Sequence, residues 1–394
     1  MAGGFIGGFN PLDQDPIKYS GKWGLKEQLQ AIAAGRWTGI VTGELYAWGS
    51  SANGQLGDGS IVNKSSPVQV GSLTNWKSFS VLFSNVSAVK TDGTLWAWGQ
   101  NDFGQLGAGN TLNQSSPVQV GALTGWGTSS SGYKTTFAVK TNGTLWSFGR
   151  NLGGELGQNS VISLSSPVQI GALTDWGTVS AGVIMATFVK TNGTLWAVGA
   201  NSVGQLGDGT SVAKSSPVQI GALTGWLATS SWNHTVAIKT DGTLWSWGGG
   251  GFGALGDGAT ANRFSPVQVG VLTNWANADA GNQWSSAVKT DGTLWSWGRN
   301  DNGRLGHNDT INRSSPVQVG ALTNWSVASS GSFHGAAAKV DKTLWTWGTN
   351  TDGRLGDNTV VLRSSPVQVG ALTDWSDVYA GAYNTFATVE STTN

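Results

Sequence analysis

Apolar and polar residues recur along this chain in one sentence repeated seven times. A strand of the form T-L-W-x-W-G is followed by G-Q-L-G, then S-P-V-Q-V-G, then L-T-x-W, with a period near fifty residues. The prolines of the S-P-V-Q segments stand at Pro67, Pro117, Pro167, Pro217, Pro266, Pro316 and Pro366, so the period slips by one residue once. Such regularity marks a modular array. In the unit 75–124, Ser84 to Lys90 and Thr94 to Gly99 read as short strands around Asp92-Gly93, a hairpin signal. Equivalent pairs are Asn142-Gly143, Asn192-Gly193, Asp241-Gly242 and Asp291-Gly292, whereas the sixth copy has Asp341-Lys342, where a positive φ on Lys predicts a distorted hairpin. Ser116 to Gly121 is a third strand with Pro at its start, and the stretch around Trp126 begins a fourth. Four strands per fifty residues predict an all-β, seven-bladed β-propeller.

The ends test closure independently. Residues 42–49 match 92–99, so the chain enters the pattern in mid-unit, and it leaves in mid-unit after Trp375 with the run Tyr379 to Val389. The two halves are expected to complete one composite blade, pairing the strand near Tyr46 with that near Phe386 and removing two open edges. The domain reading is an arm at 1–37 and a propeller at 38–394.

The segment Trp98-Gly-Gln-Asn-Asp-Phe-Gly-Gln-Leu-Gly107, with its echoes at Gly54, Gly154, Gly204, Gly253, Gly303 and Gly353, resembles the regulator-of-chromosome-condensation repeat family, whose members form seven-bladed propellers. The resemblance covers roughly residues 40 to 390. That family usually carries His in the second strand; here the position reads Asn85, Thr135, Met185, His234, Trp284, His334 and Asn384. The resemblance implies the scaffold but not the nucleotide exchange of some members, because one fold hosts many tasks.

Composition narrows the partners. The net charge is zero and only 11% of residues are charged, which argues against a nucleic-acid surface. There is no Cys, so disulfides and thiolate chemistry are excluded. Residues 1–9 lack both a basic region and a long apolar run, so neither a secretion signal nor membrane insertion is expected. The four Glu and three His show no metal-ligand spacing or catalytic pairing, so no enzyme activity, metal or cofactor is expected.

Function is sought where the copies differ. Eighteen of the 22 Trp sit at repeat positions and read as packing between blades. Before the second strand, six copies carry an aromatic: Phe83, Tyr133, Trp232, Trp284, Phe333 and Tyr383. These turns open on one face, so the six residues are candidates for a ring that stacks on a sugar or anchors a protein. A second register places Lys64, Lys214, Arg263, Arg313 and Arg363 on a basic rim suited to an acidic partner.

Residues 1–37 share none of the repeat. Leu25, Leu29 and Ile32 align on one face of a short helix that Gly35 stops. The string 21–37, which contains Trp23 and ends at Trp37, resembles the N-terminal segment of structural proteins of tailed bacteriophages. That resemblance implies a virion location, an assembly arm, virion proteins as partners and a propeller free to contact host glycan. The alternatives are a cellular regulator or inhibitor that docks on a protein, and a free lectin.

Overall fold

The computed structural model describes residues 43–390; the arm at 1–37, with Trp23, Leu25, Leu29, Ile32 and Trp37, lies outside the described residues. Twenty-eight short strands form five separate four-stranded sheets and one eight-stranded sheet. The larger sheet is two blades joined by a single pairing, Gly43 with Trp76, so the described residues make seven blades. Blades one to six span 76–119, 126–169, 176–219, 226–268, 275–318 and 325–368. The seventh is composite: Trp375–Ala380 and Asn384–Glu390 from the end of the chain, then Gly43–Gly49 and Lys64–Gln69 from its start. Tyr46 pairs with Ala387 and Ala47 with Phe386, which is the closure expected from the two half-units.

Each blade follows its sequence closely. In blade one the second and third strands, Asn85–Lys90 and Leu95–Gly99, pair from Asn85↔Gly99 to Val89↔Leu95 around the Asp92-Gly93 turn. The sixth hairpin is not distorted. Lys342 takes the left-handed conformation at φ 62, and its N–H donates to Lys339 O at 2.9 Å, as Gly143 does to Lys140 O at 2.8 Å. The flanking pairing outweighs the modest cost of a left-handed non-glycine residue. Pro117 sits within its strand, Gln114–Gln119, rather than at its start. This strand pairs only on one side, and its register slips between Ala97↔Val118 and Gly99↔Gln114. An edge strand with a bulge has no use for the missing N–H.

Three sets of contacts join the blades. On the inside, the first strands of all seven blades neighbour one another in a closed cycle. At six of the seven junctions an oxygen of one blade accepts the N–H of the next: Ser80 from Ser131, Ser130 from Ala181, Ser180 from Ser231, Ser230 from Ala280, Asp279 from Ser330 and Ser329 from Ala380. At the closing junction the register holds Tyr379, whose ring meets Phe79 edge-on at 5.0 Å.

On the outside, the long loop between the third and fourth strands of each blade grips the next blade. The residues Gly59, Gly109, Asn159, Gly209, Gly258, Asn308 and Asn358 are all left-handed, and each donates its N–H to a carbonyl in the neighbouring outer strand, at 2.7 to 2.9 Å. The last of these, Asn358 to Ser65 O, carries the grip across to the composite blade. Between the two sets, the G-Q-L-G segment lies on the W-G indole of the next blade. Trp98, Trp247, Trp297 and Trp347 donate their Nε1–H to the carbonyls of Gln55, Gln205, Ala254 and Arg304 at 2.7 to 3.1 Å. The glycine that ends the motif leaves no room for a side chain: a Cβ on Gly256 would stand 2.7 Å from Trp297 Nε1.

The remaining repeated tryptophans, half-buried in L-W and buried in L-T-x-W, lie beside lysines. Lys90 lies 3.7 Å from the Trp96 ring centre and 5.2 Å from that of Trp76, and Lys140, Lys190, Lys239, Lys289 and Lys339 repeat the arrangement. Such a cation over a ring contributes roughly 0.5–2 kcal/mol. Burial lowers the pKa of Lys90, Lys289 and Lys339.

Cutting the chain after Val378 removes the strand Asn384–Glu390 to which Gly43–Gly49 pairs. The shortened protein is expected to aggregate or to melt at least about 10 °C below the full chain; equal melting temperatures in scanning calorimetry would show that the composite blade is dispensable.

Candidate functional site

The short turns between first and second strands, and the long loops between third and fourth, emerge at the same end of the propeller because alternate strands run antiparallel. This end, the mouth, contains the varied aromatic and basic registers. Phe83 is its hub. Its ring lies 4.6 Å from Tyr133, 5.2 Å from Trp232 and 6.4 Å from Tyr383, and Phe333 lies 6.0 Å from Tyr383. Phe83 belongs to blade one and Trp232 to blade four, so the contact spans the mouth. Leu82, Ala382 and Val183 pack against the same group. The aromatics therefore plug the channel instead of standing around it.

Two of the six expected ring residues do not belong to its surface. Trp232 is 1% exposed, sealed beneath Phe83. Trp284 is the first residue of its strand, two positions later than Trp232 in register; it is fully buried, and its Nε1–H donates to Gly331 O of the next blade at 2.7 Å. Gln283 occupies the turn in that blade, at φ 66, and accepts from Arg299 at 2.8 Å. Phe83, Tyr133 and Phe333 are half-buried, and Tyr383 is exposed. These four are the faces a partner can reach.

The basic rim is also altered by its surroundings. Lys64, Lys214, Arg263, Arg313 and Arg363 each meet an aspartate of their own loop, Asp58, Asp208, Asp257, Asp309 and Asp357, at 2.6 to 3.3 Å. The cations hold Asp309 down to about 2, with the Arg313 hydrogen bond as the largest cause. Paired charges tie each loop to its strand and leave little field for an acidic partner.

Two residues that sequence reasoning passed over lie just below the plug. Arg304 and Arg354 replace the Gln of G-Q-L-G in adjacent blades, a departure visible in the sequence that reads there as simple variation. Both are buried. Arg304 pairs with Asp301 at 2.7 Å and donates to Ser332 O at 2.9 Å; Arg354 pairs with Asp352 at 2.7 Å. Phe333 receives both guanidinium groups, at 5.3 and 5.8 Å, and Arg354 also faces Tyr383 at 5.4 Å. Burial lowers the Arg304 pKa to about 10, and Arg299 nearby adds to the shift. Beside Arg354 a cleft of about 440 Å³ opens between Phe333, Thr349, Asn350, Val360 and Leu362. Thr349 Oγ1 and Arg354 Nε have no partner there.

The position that the family usually fills with His also serves blade contacts. His234 Nε2 meets Ser285 Oγ at 2.8 Å and His334 Nε2 meets Thr385 Oγ1 at 2.8 Å, each in the following blade. Burial lowers the His234 pKa to about 4 and that of His334 well below its ordinary value. Among the described residues, no group of three or more His, Cys, Asp or Glu could hold a metal ion.

The model of the regulator of chromosome condensation (RCC1) repeat matches residues 42–81, 92–139, 192–238, 241–288, 291–338 and 341–388. The chain belongs to the RCC1 repeat family. The unmatched stretch includes the second blade's third strand, where Phe148 replaces the W-G tryptophan. The RCC1-type fold is shared with human WBSCR16, 20% identical over 89% of this chain and 99% of that one, with a TM-score of 0.81. It is shared with yeast RCC1 (Prp20) bound to Kap60, 20% identical over 89% of each chain, at 0.79. Prp20p of Saccharomyces cerevisiae is 20% identical over 93% of this chain and 95% of that one, at 0.78. The full sequence matches no curated protein. The expected virion location is overturned: the family match and these neighbours are cellular RCC1-type proteins. The phage resemblance of residues 21–37 gains no support from them and falls outside the described residues.

The buried histidines set a sign for the pH dependence. Unfolded His234 takes up a proton near 6.5 and folded His234 only near 4, so the unfolded state binds more protons in that window and stability falls as pH drops from 6.5 towards 4. At pH 5 the loss is on the order of 2 kcal/mol for this group. A His234→Gln variant is expected to show a shallower decline in melting temperature between pH 7 and pH 5 than the parent; parallel declines would contradict the assignment.

Proposed function

We propose that this chain is a protein-docking propeller of regulatory type, which binds a protein partner at the mouth and performs no chemistry itself. The observation that supports this most is the composition of the mouth. Tyr383 and Phe333 present aromatic faces backed by two buried guanidinium groups, and aromatic and arginine side chains dominate the centres of protein interfaces. Their positions are set by packing and ion pairs before a partner arrives, which limits the entropy lost on binding. The charges nearby are paired within the chain, so recognition would rest on shape and apolar contact at the centre. In their own descriptions, yeast RCC1 (Prp20) is bound to Kap60, and Prp20p has binding properties towards Gsp1p and histones. A regulator or inhibitor that docks on one protein is the same kind of task on the same scaffold.

A lectin reading has less support. Its best stacking platforms were Trp232 and Trp284, and both are buried.

The test is affinity capture with the full chain, comparing it with a Phe333→Ala, Tyr383→Ala double variant and with Leu173→Asp at the opposite end. A partner should be held by the parent and the Leu173 control and lost by at least about tenfold in the mouth variant. Equal capture by all three would contradict docking at the mouth.

A further inference from the structure

Around the mouth, one register of the long loops is aliphatic in every blade. Val62, Leu112, Ile162, Val212, Ile311 and Val361 occupy it, with Ala261 in the fourth blade. The flanking positions are mostly Ser, Thr, Asn or Asp, as expected of solvent-facing loops. The six larger side chains are nonetheless between 55% and 69% exposed. The residue identity drifts between copies while the aliphatic character stays, although these side chains lie mostly outside the chain's own core.

The register is also rigid. In six blades the backbone N–H of the aliphatic residue is held by the side chain two positions earlier, for example Leu112 on Asn110 at 2.9 Å and Ile311 on Asp309 at 3.0 Å. Its carbonyl is held as well: Asn101 donates to Leu112 O, Asn151 to Ile162 O and Asn201 to Val212 O, at 3.0 to 3.3 Å. The loops thus present fixed apolar knobs, arranged with the sevenfold repeat of the propeller.

We infer that this collar is a self-association surface, on which a second copy of the chain docks face to face. Three observations select that occupant. The pattern is cyclic and uniform, so a two-fold axis across the propeller axis brings apolar knobs against apolar knobs, the condition for an isologous interface. The five rim cations below the collar are neutralised within their own loops, so two such faces meet without like-charge repulsion. With Ile61, Val161, Val360 and Leu362, the collar exposes on the order of 1,000 Å² of side-chain surface, against roughly 800 Å² per partner in a standard stable interface. The inference rests on reading this end as a docking face, and it adds that self-association and partner binding exclude one another there.

Sedimentation velocity of the full chain from about 1 to about 100 µM tests it. The parent chain should dimerise, and a Leu112→Asp, Ile162→Asp, Ile311→Asp variant should raise the dissociation constant by about 100-fold or more with an unchanged circular dichroism spectrum and melting temperature. These side chains touch solvent and their backbone bonds remain, so the variant keeps its fold. Leu123→Asp with Leu223→Asp, at the other end, should leave the dimer intact. A parent chain monomeric throughout, or a dimer that survives the collar variant, overturns the inference. So does a monomer that co-sediments with phosphatidylcholine vesicles until the collar is changed, which would assign the collar to lipid. No partner protein enters this experiment, so its failure leaves the capture test at the mouth to be judged on its own.

Discussion

The grip of each long loop on the following blade is the contact from which the rest of the molecule follows. A four-stranded blade of five- and six-residue strands cannot bury both faces by itself, so its stability comes from its neighbours. The G-x-L-G segment and the residue two beyond it supply that contact in three parts: a glycine that lets an indole of the next blade lie against the backbone, a carbonyl that accepts the indole N–H, and a left-handed Gly or Asn that donates to the neighbouring outer strand. At about 1 kcal/mol per net hydrogen bond, the seven outer bonds alone rival the stability margin of an ordinary domain. The inner serine ladder repeats the logic at the channel, where Asp279 accepts from Ser230, Ser329 and Ser330 and burial raises its pKa.

The mouth inherits its form from this grip. The residue after the first glycine of the motif is buried, and replacing Gln by Arg there in blades five and six brings two guanidinium groups under Phe333. The loop that grips on one side carries the aliphatic register on its outer tip. The gripping residue and the aliphatic register therefore stand three positions apart in the same loop.

The architecture was legible because it is periodic. The hairpins around Asp92-Gly93 and its equivalents, the composite blade of Tyr46 and Phe386, and the packing role of the repeated Trp all follow from register and turn chemistry. The site was less legible, because a linear pattern does not report the direction of a turn residue. Phe83, Trp232 and Tyr383 stand one or two residues before their strands and converge on one plug, while Trp284, the first residue of its strand, turns into the blade interface. The rim cations looked free because their aspartates lie four or six residues earlier, within the same loop, and only the fold brings them together. Arg304 and Arg354 broke the repeat visibly, but nothing in the sequence alone says that this position lies under the mouth. The collar was visible too, as an aliphatic position amid polar ones, once copies are compared position by position.

The glycine ending G-x-L-G is required by the next blade and not merely by its own turn. Two glycines separate these explanations. Gly256 has φ +74 and its added Cβ would strike Trp297, whereas Gly221 has φ +58 and nothing within 4 Å. Both Ala variants carry the cost of a left-handed residue, about 1 kcal/mol, but only Gly256→Ala displaces the indole. Scanning calorimetry should find Gly256→Ala melting well below Gly221→Ala, by an amount equivalent to about 2 kcal/mol or more. Equal melting temperatures would contradict the claim that the loops hold the blades together.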